Sequence, residues 1–378
     1  MSCRHARVKR SRADRRQKRH PVLRAVGRTM AVLGVTLLGI LATAYGAVAL
    51  MCKGPSPTAR DMFVTTMMET SAAKFVPRLF LSGAEIEAIL HKNTVIEGET
   101  NTEAVEEFVP RNEEVPKDTI ELLDVYGPTF KGKMMIVHDP SRIKVATLDR
   151  YGADLPGLKV EDFAKKYGAT AAVNGGEFLD TNGVGKGGQP LGIVIKDGEF
   201  RYGNESTVVS IIAFDDQDRL LVGRMSGKEA KEKHVRDAIS YGPAFIVNGE
   251  PLEVSGTGGG LNPRTVIGQR ADGAVLLLAI DGRQTHSLGA SFKDCIDVMM
   301  EYGAINAANL DGGSSTMMVY KGETVNSCAS MYGSRRLPTA SGTEAPMIKR
   351  NAGKIVSERR PWPRLPLILS RRMPPKSR

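Results

Sequence analysis

Residues Thr29–Cys52, TMAVLGVTLLGILATAYGAVALMC, form a run without one charged side chain. Wound as an α-helix the run is roughly 36 Å long, more than the ~30 Å hydrocarbon core of a bilayer, so it spans with some tilt. The residues before it are strongly basic. Residues 1–28 carry eleven Lys/Arg against a single acid, Asp14. Basic flanks stay on the cytoplasmic side, which places everything after Lys53 outside. A cleaved signal peptide is the competing reading, but its basic region would be unusually long and no small-residue cleavage site ends the run. Met51 before Cys52 fits lipoprotein processing poorly. A buried core helix is disfavoured by the length and the charged flanks. The expected arrangement is a basic cytoplasmic tail over 1–28 and a signal anchor over 29–52. It gives a single pass through the plasma membrane.

The formal net charge of +10 suggests nucleic acid until its distribution is read. Residues 349–378 hold ten Lys/Arg and one acid, Glu358. With both basic ends set aside, the intervening chain is net acidic. Like-charge blocks at termini are usually solvated, and no basic face with interleaved aromatics follows in the middle. No nucleic-acid partner is expected. Four cysteines, Cys3, Cys52, Cys295 and Cys328, match no zinc spacing. Only the last two fall in the folded region, where separate thiols are expected rather than a disulfide.

Residues 53–119 read as stalk and linker. The segment 61–92 carries helix-compatible apolar residues interrupted by Pro77. Ser82 followed by Glu85 reads as a capping box opening a short helix over 83–91. Residues 97–118 are acidic, polar and aperiodic. From about 120 the pattern changes to short β-rich runs: 133–138, 143–148, 192–195, 208–214, 244–247, 265–268 and 275–280. The turn dipeptides Asp197-Gly198, Asn248-Gly249 and Asp272-Gly273 punctuate them. Two helices are expected, over 160–167 and 291–302, each preceding a strand, 169–173 and 305–310. The expected fold class is α+β, a mixed and largely antiparallel sheet with a few packed helices, preceded by one transmembrane helix. That domain is assigned to 120–340 and a basic, Pro-containing tail to 341–378.

Four segments gather Gly, Asn, Asp and Arg at strand ends. In the first, a buried run ends in Asn174-Gly175-Gly176, where glycines permit close approach of a ligand, or simply a tight turn. The second is a glycine run, 256–260, leading to Arg264-Thr265. Arg presents a planar fork suited to phosphate, but the segment lacks the Lys-Ser/Thr ending of a phosphate-binding loop. The third places Asp281 at the end of VLLLAI. The fourth is Asn309-Leu310-Asp311-Gly312-Gly313-Ser314-Ser315, where successive backbone N–H groups can form an anion nest beside a carboxylate. There is no Gly-x-Ser-x-Gly elbow. His138, His234 and His286 lie outside any metal-binding spacing.

In their order, VNGGEF, NPRTVIG, AIDGRQ and NAANLDGGSSTMM resemble the phosphodiester glycosidase family, with SRRLPTA at 334–340 as a weaker match. The resemblance covers about 170–340. It implies a hydrolase that cleaves the glycosidic bond of a sugar-1-phosphodiester, releasing free sugar and leaving a phosphomonoester. For a membrane-anchored, extracytoplasmic chain this points to envelope or exopolysaccharide metabolism. By the same resemblance Asp311 and Asp281 are the expected catalytic carboxylates. Arg264 and the 312–315 N–H groups would stabilise phosphate charge. Asn174, Gly175, Gly176, Thr265 and Asn309 would contact substrate. The family usually has an aromatic where Glu177 stands, and Glu177 reads as a variable position. Beyond Ala340 the family continues with a hydrophobic strand that SGTEAPMIKRN does not match, so the last strand is expected to be missing or replaced. No cofactor is required on this reading, although a divalent cation held by Asp281, Asp311 and Asn side chains would make a phosphodiesterase. A non-catalytic glycan-binding envelope protein is the third reading.

Overall fold

The computed structural model describes residues 6–70, 73–97, 102, 108–109, 115–180, 185–330 and 333–343. Of the tail assigned to 341–378, residues 341–343 belong to a strand and 344–378 lie outside the described residues. Helix α1 (Ala6–Lys53) contains the charge-free run. Three short helices follow, α2 (Pro57–Met68), α3 (Phe75–Arg78) and α4 (Gly83–Lys92). Ser82 and Glu85 form the expected reciprocal cap at the start of α4. These helices rest on the β-rich domain. Asn93, at the end of α4, accepts from the Thr257 N–H at 2.7 Å and donates to Ile89 O at 2.7 Å and Asp61 Oδ2 at 3.3 Å.

The domain is three antiparallel sheets. In spatial order the first contains 120–126, 131–137, 275–280, 264–270, 304–310, 244–247 and 250–251. The second contains 323–324, 318–320, 171–174, 339–343 and 143–147. The third contains 199–202, 194–196, 235–240, 208–215 and 220–226. Strand Val275–Ile280 is buried throughout because both of its faces are covered. Val275, Leu277 and Ala279 face a core shared with Val145 and Val173 of the second sheet and Ile212 and Ile239 of the third. Leu276, Leu278 and Ile280 face helix α7 (Phe292–Glu301) through Phe292, Ile296 and Met299. Helix α5 (Val160–Lys166) covers the second sheet and α6 (Gly227–Glu232) the third.

The hairpin from 194–196 to 199–202 forms as its dipeptide requires. Asp197 and Gly198 both take left-handed φ, 52° and 78°, matching the strand twist. Of the two expectations for the last strand, missing or replaced, the first does not hold. Residues 339–343 (TASGT) lie inside the second sheet, paired with 171–174 on one side and the edge strand 143–147 on the other. A hydrophobic strand is unnecessary there, because small side chains let it pack closely. A Cβ on Gly342 would sit 2.8 Å from Ala171 O. Cys295 and Cys328 are separate thiols.

Candidate active site

Strand Ala304–Leu310 of the first sheet ends beside strand Ala171–Asn174 of the second, and Asp311 is the residue at that seam. Its N–H donates to Gly175 O at 3.3 Å. The Asn174 amide donates to Asp311 O, while its oxygen accepts from the Thr265 hydroxyl at 2.8 Å and the Met317 N–H at 3.1 Å. Two sheets are thereby pinned at the Asp311 backbone. The third contributes through Ser240, whose carbonyl accepts the Glu177 N–H at 2.8 Å and which leads into Tyr241.

The seam opens into a cavity of about 470 Å³ lined by Asp311 to Ser315, Glu177 to Asp180, Leu191, Tyr241 and Arg335, with Met68, Glu69 and Lys74 from the helical segment. Asp311 is the perturbed group in it. Burial pushes its carboxyl up to about 7, partly opposed by the Ser315 hydroxyl, Arg335 and the Gly312 N–H. Its Oδ2 is buried with no hydrogen-bond partner. Arg335 donates to Asp180 Oδ2 at 2.8 Å and stacks its guanidinium 5.0 Å from the Phe178 ring centre. Burial also raises the Glu177 carboxyl, and burial with Asp311 nearby raises the Tyr241 hydroxyl far above its ordinary range. A neutral-range carboxyl, a fixed arginine and a confined volume suit proton transfer at an anionic substrate.

Several expected substrate contacts turn out to hold the frame instead. Asn174 and Thr265 are fully buried and bond each other. Gly175 and Gly176 allow close packing, since a Cβ would sit 2.7 Å from Thr339 backbone at the first and 2.6 Å from Ser240 O at the second. Asn309 donates to Gly242 O at 3.1 Å. Arg264 is 2% exposed and does not line the cavity. It lies 4.3 Å from the Phe292 ring centre, donates to the carbonyls of Gly259, Gly260 and Ala290, and pairs with Glu69 at 2.8 Å. The glycine run 256–260 thus wraps an arginine rather than a phosphate.

The 312–315 turn is only partly a nest. Gly313 donates to Pro263 O and Ser315 to Gly312 O, because Gly313–Ser315 closes as a 3-10 turn. Ser314 and Gly312 still line the cavity. Asp281 does not. Its Oδ1 accepts from the Ser327 N–H at 2.8 Å and Asn326 at 3.3 Å, with His286 3.5 Å from Oδ2. The two aspartates therefore do not form a shared oxygen cage. Among the described residues no three His, Cys, Asp or Glu side chains are grouped to hold a cation. The cavity residues missed in the sequence are Tyr241, Asp180 and Arg335, with Glu177 set aside as variable. Arg335 was signalled by the weak match at 334–340; Tyr241 carried no signal.

Residues 167–343 match the phosphodiester glycosidase family model. Over this span the chain is similar to the phosphodiester glycosidase family. The glycosidase domain is 27% identical over 177 residues to an uncharacterized SPbeta prophage-derived protein of Bacillus subtilis, covering 44% of this chain and 27% of that one. It is 25% identical over 218 residues to mouse N-acetylglucosamine-1-phosphodiester alpha-N-acetylglucosaminidase, covering 52% of this chain and 41% of the enzyme. The chain thus spans less than half the length of either relative. The fold also resembles the catalytic domain of the zebrafish enzyme of the same name, with a TM-score of 0.52, 22% identity, and coverage of 63% of this chain and 87% of that domain.

Proposed function

We propose that this protein is a membrane-anchored hydrolase, its glycosidase domain outside the cytoplasm, that cleaves the glycosidic bond of sugar-1-phosphodiesters in envelope or exopolysaccharide metabolism. The observation that carries this is Asp311, a buried carboxyl raised to about 7 in a cavity shared with Arg335. Water attacks the anomeric carbon and its proton passes to Asp311. The bond from that carbon to the phosphate oxygen breaks, and its electron pair leaves with the phosphomonoester. Phosphate is a good leaving group and needs little protonation, so the carboxylate's work lies in activating water. Arg335 and Lys74 balance charge on the phosphate, and Ser314 and Gly312 line the wall beside it. Anchorage is supported by Leu23–Lys53, whose most apolar window has a mean hydropathy of 2.0 and is 6% buried in the protein. The mouse relative's name makes N-acetylglucosamine the first sugar to test.

The test is the purified full chain given methyl N-acetylglucosamine-1-phosphate, with and without EDTA, with Asp311→Asn alongside. Free sugar that disappears in the variant is expected. Sugar phosphate would replace this reading with a phosphodiesterase, and loss of activity with EDTA would add a divalent cation. A folded protein that binds the ester without turnover would be a glycan-binding protein.

A further inference from the structure

The cavity is built partly from chain that leaves the membrane. Met68, Glu69 and Lys74 line it, and Lys74 directly precedes α3. That short helix is tied to the apolar end of α1. The Phe80 ring lies 4.9 Å from that of Tyr45, and Val48 and Cys52 pack with Val64, Leu81 and Ile86. Tyr45 stands about 12 Å along the helix before Lys53. Val48 and Cys52 are covered by the helices that follow while Tyr45 is exposed, which puts the lipid boundary at Tyr45, where tyrosine rings prefer to sit. Whatever packs on Tyr45 lies at the same depth.

The outer face of α3 fits that depth. Phe75 and Leu79, one helical turn apart, are 61% and 62% exposed, and Arg78 beside them is exposed too. Two large apolar side chains with an adjacent cation suit the boundary of acyl chains and anionic headgroups. The patch adjoins Phe80, which packs on Tyr45 of the span, and this identifies its occupant as lipid. The cavity lining has both characters: Lys74, Arg335 and Asp311 are polar, and Met68, Leu179 and Leu191 are apolar.

We propose that the cavity opens at the outer membrane–water interface and takes a sugar-1-phosphodiester whose second ester is a membrane lipid alcohol. This rests on the glycosidase and anchor readings above and adds the substrate class to them. Water adds across the bond between the anomeric carbon and the phosphate oxygen. The sugar leaves with the hydroxyl, and the lipid keeps a phosphomonoester in the membrane.

The full chain is reconstituted in phosphatidylcholine–phosphatidylglycerol vesicles and given the methyl and farnesyl esters of N-acetylglucosamine-1-phosphate. The farnesyl ester is expected to be hydrolysed with the higher kcat/KM. Phe75→Ser with Leu79→Ser is expected to lower that value by about tenfold, two apolar anchors being lost, while methyl-ester hydrolysis in detergent stays as it was. Equal use of both esters, or a farnesyl preference untouched by the double variant, overturns the lipid inference and leaves the glycosidase reading standing. A second arm needs no turnover. Trp362, the only tryptophan, is replaced by Phe, and Phe75→Trp is introduced. Quenching of its fluorescence by lipids brominated near the headgroup supports the placement. No quenching overturns it whether or not either ester is cleaved.

Discussion

Asp311 binds its proton more tightly folded than unfolded, because burial disfavours the charge. The native chain therefore holds more protons than the unfolded one between about pH 4 and pH 7, and this group costs stability as pH rises through that window. Asp311→Asn removes the cost. Its melting temperature is expected to exceed the wild type's at pH 8, by on the order of 2 kcal/mol of stability, and to match it near pH 4; an equal gap at both pH values would refute the burial argument. Activity should rise with pH through about 7 if Asp311 accepts the proton of water, and a fall over that range would make it an acid instead. The two arginines separate in the same manner. Arg264→Ala leaves Glu69 unpaired and three carbonyls without their donor, and is expected to destabilise by about 3–5 kcal/mol in urea unfolding. Arg335→Ala is expected to keep most of the stability and lose about a hundredfold in kcat/KM, as removal of a preorganised charge does.

At the scale of elements, what could be read from sequence followed from local chemistry. Strands 244–247 and 275–280 begin and end where their apolar runs do, and left-handed dipeptides located the hairpin turns. Strands that broke the hydrophobic rule were missed. VRDAIS, 235–240, buries Asp237 against Arg236 and the Val145 N–H, a pairing only the folded chain supplies. TASGT, 339–343, lies inside its sheet because its side chains are small. The site was legible where one segment held it, as at Asp311. It was illegible where separate segments converge, as with Tyr241, Glu177 and Arg335. Gly342→Leu should test the close packing. With Ala171 O 2.8 Å from its Cβ position, it is expected to cost about 1–3 kcal/mol in thermal unfolding.

Across the whole molecule, helices α2 and α4 and the domain share one set of buried polar contacts. Asn93 joins α2, α4 and the 255–262 loop, and Thr65 lies 3.3 Å from Thr257 across the same junction. Asn93→Ala leaves the Thr257 N–H and Asp61 short of partners, so it should cost about 1–3 kcal/mol and expose 57–92 to proteolysis ahead of the domain. Simultaneous cleavage of both would contradict that coupling.

The position of 339–343 between 171–174 and 143–147 also sets when the cavity can exist. Chains fold from the N-terminus as they are made, yet the second sheet lacks the strand that joins 143–147 to 171–174 until residue 343 has been delivered. The wall that carries Asn174 and Gly175 beneath Asp311 closes only then. On the proposed function, a nascent chain that has not yet delivered residue 343 is expected to be hydrolytically silent.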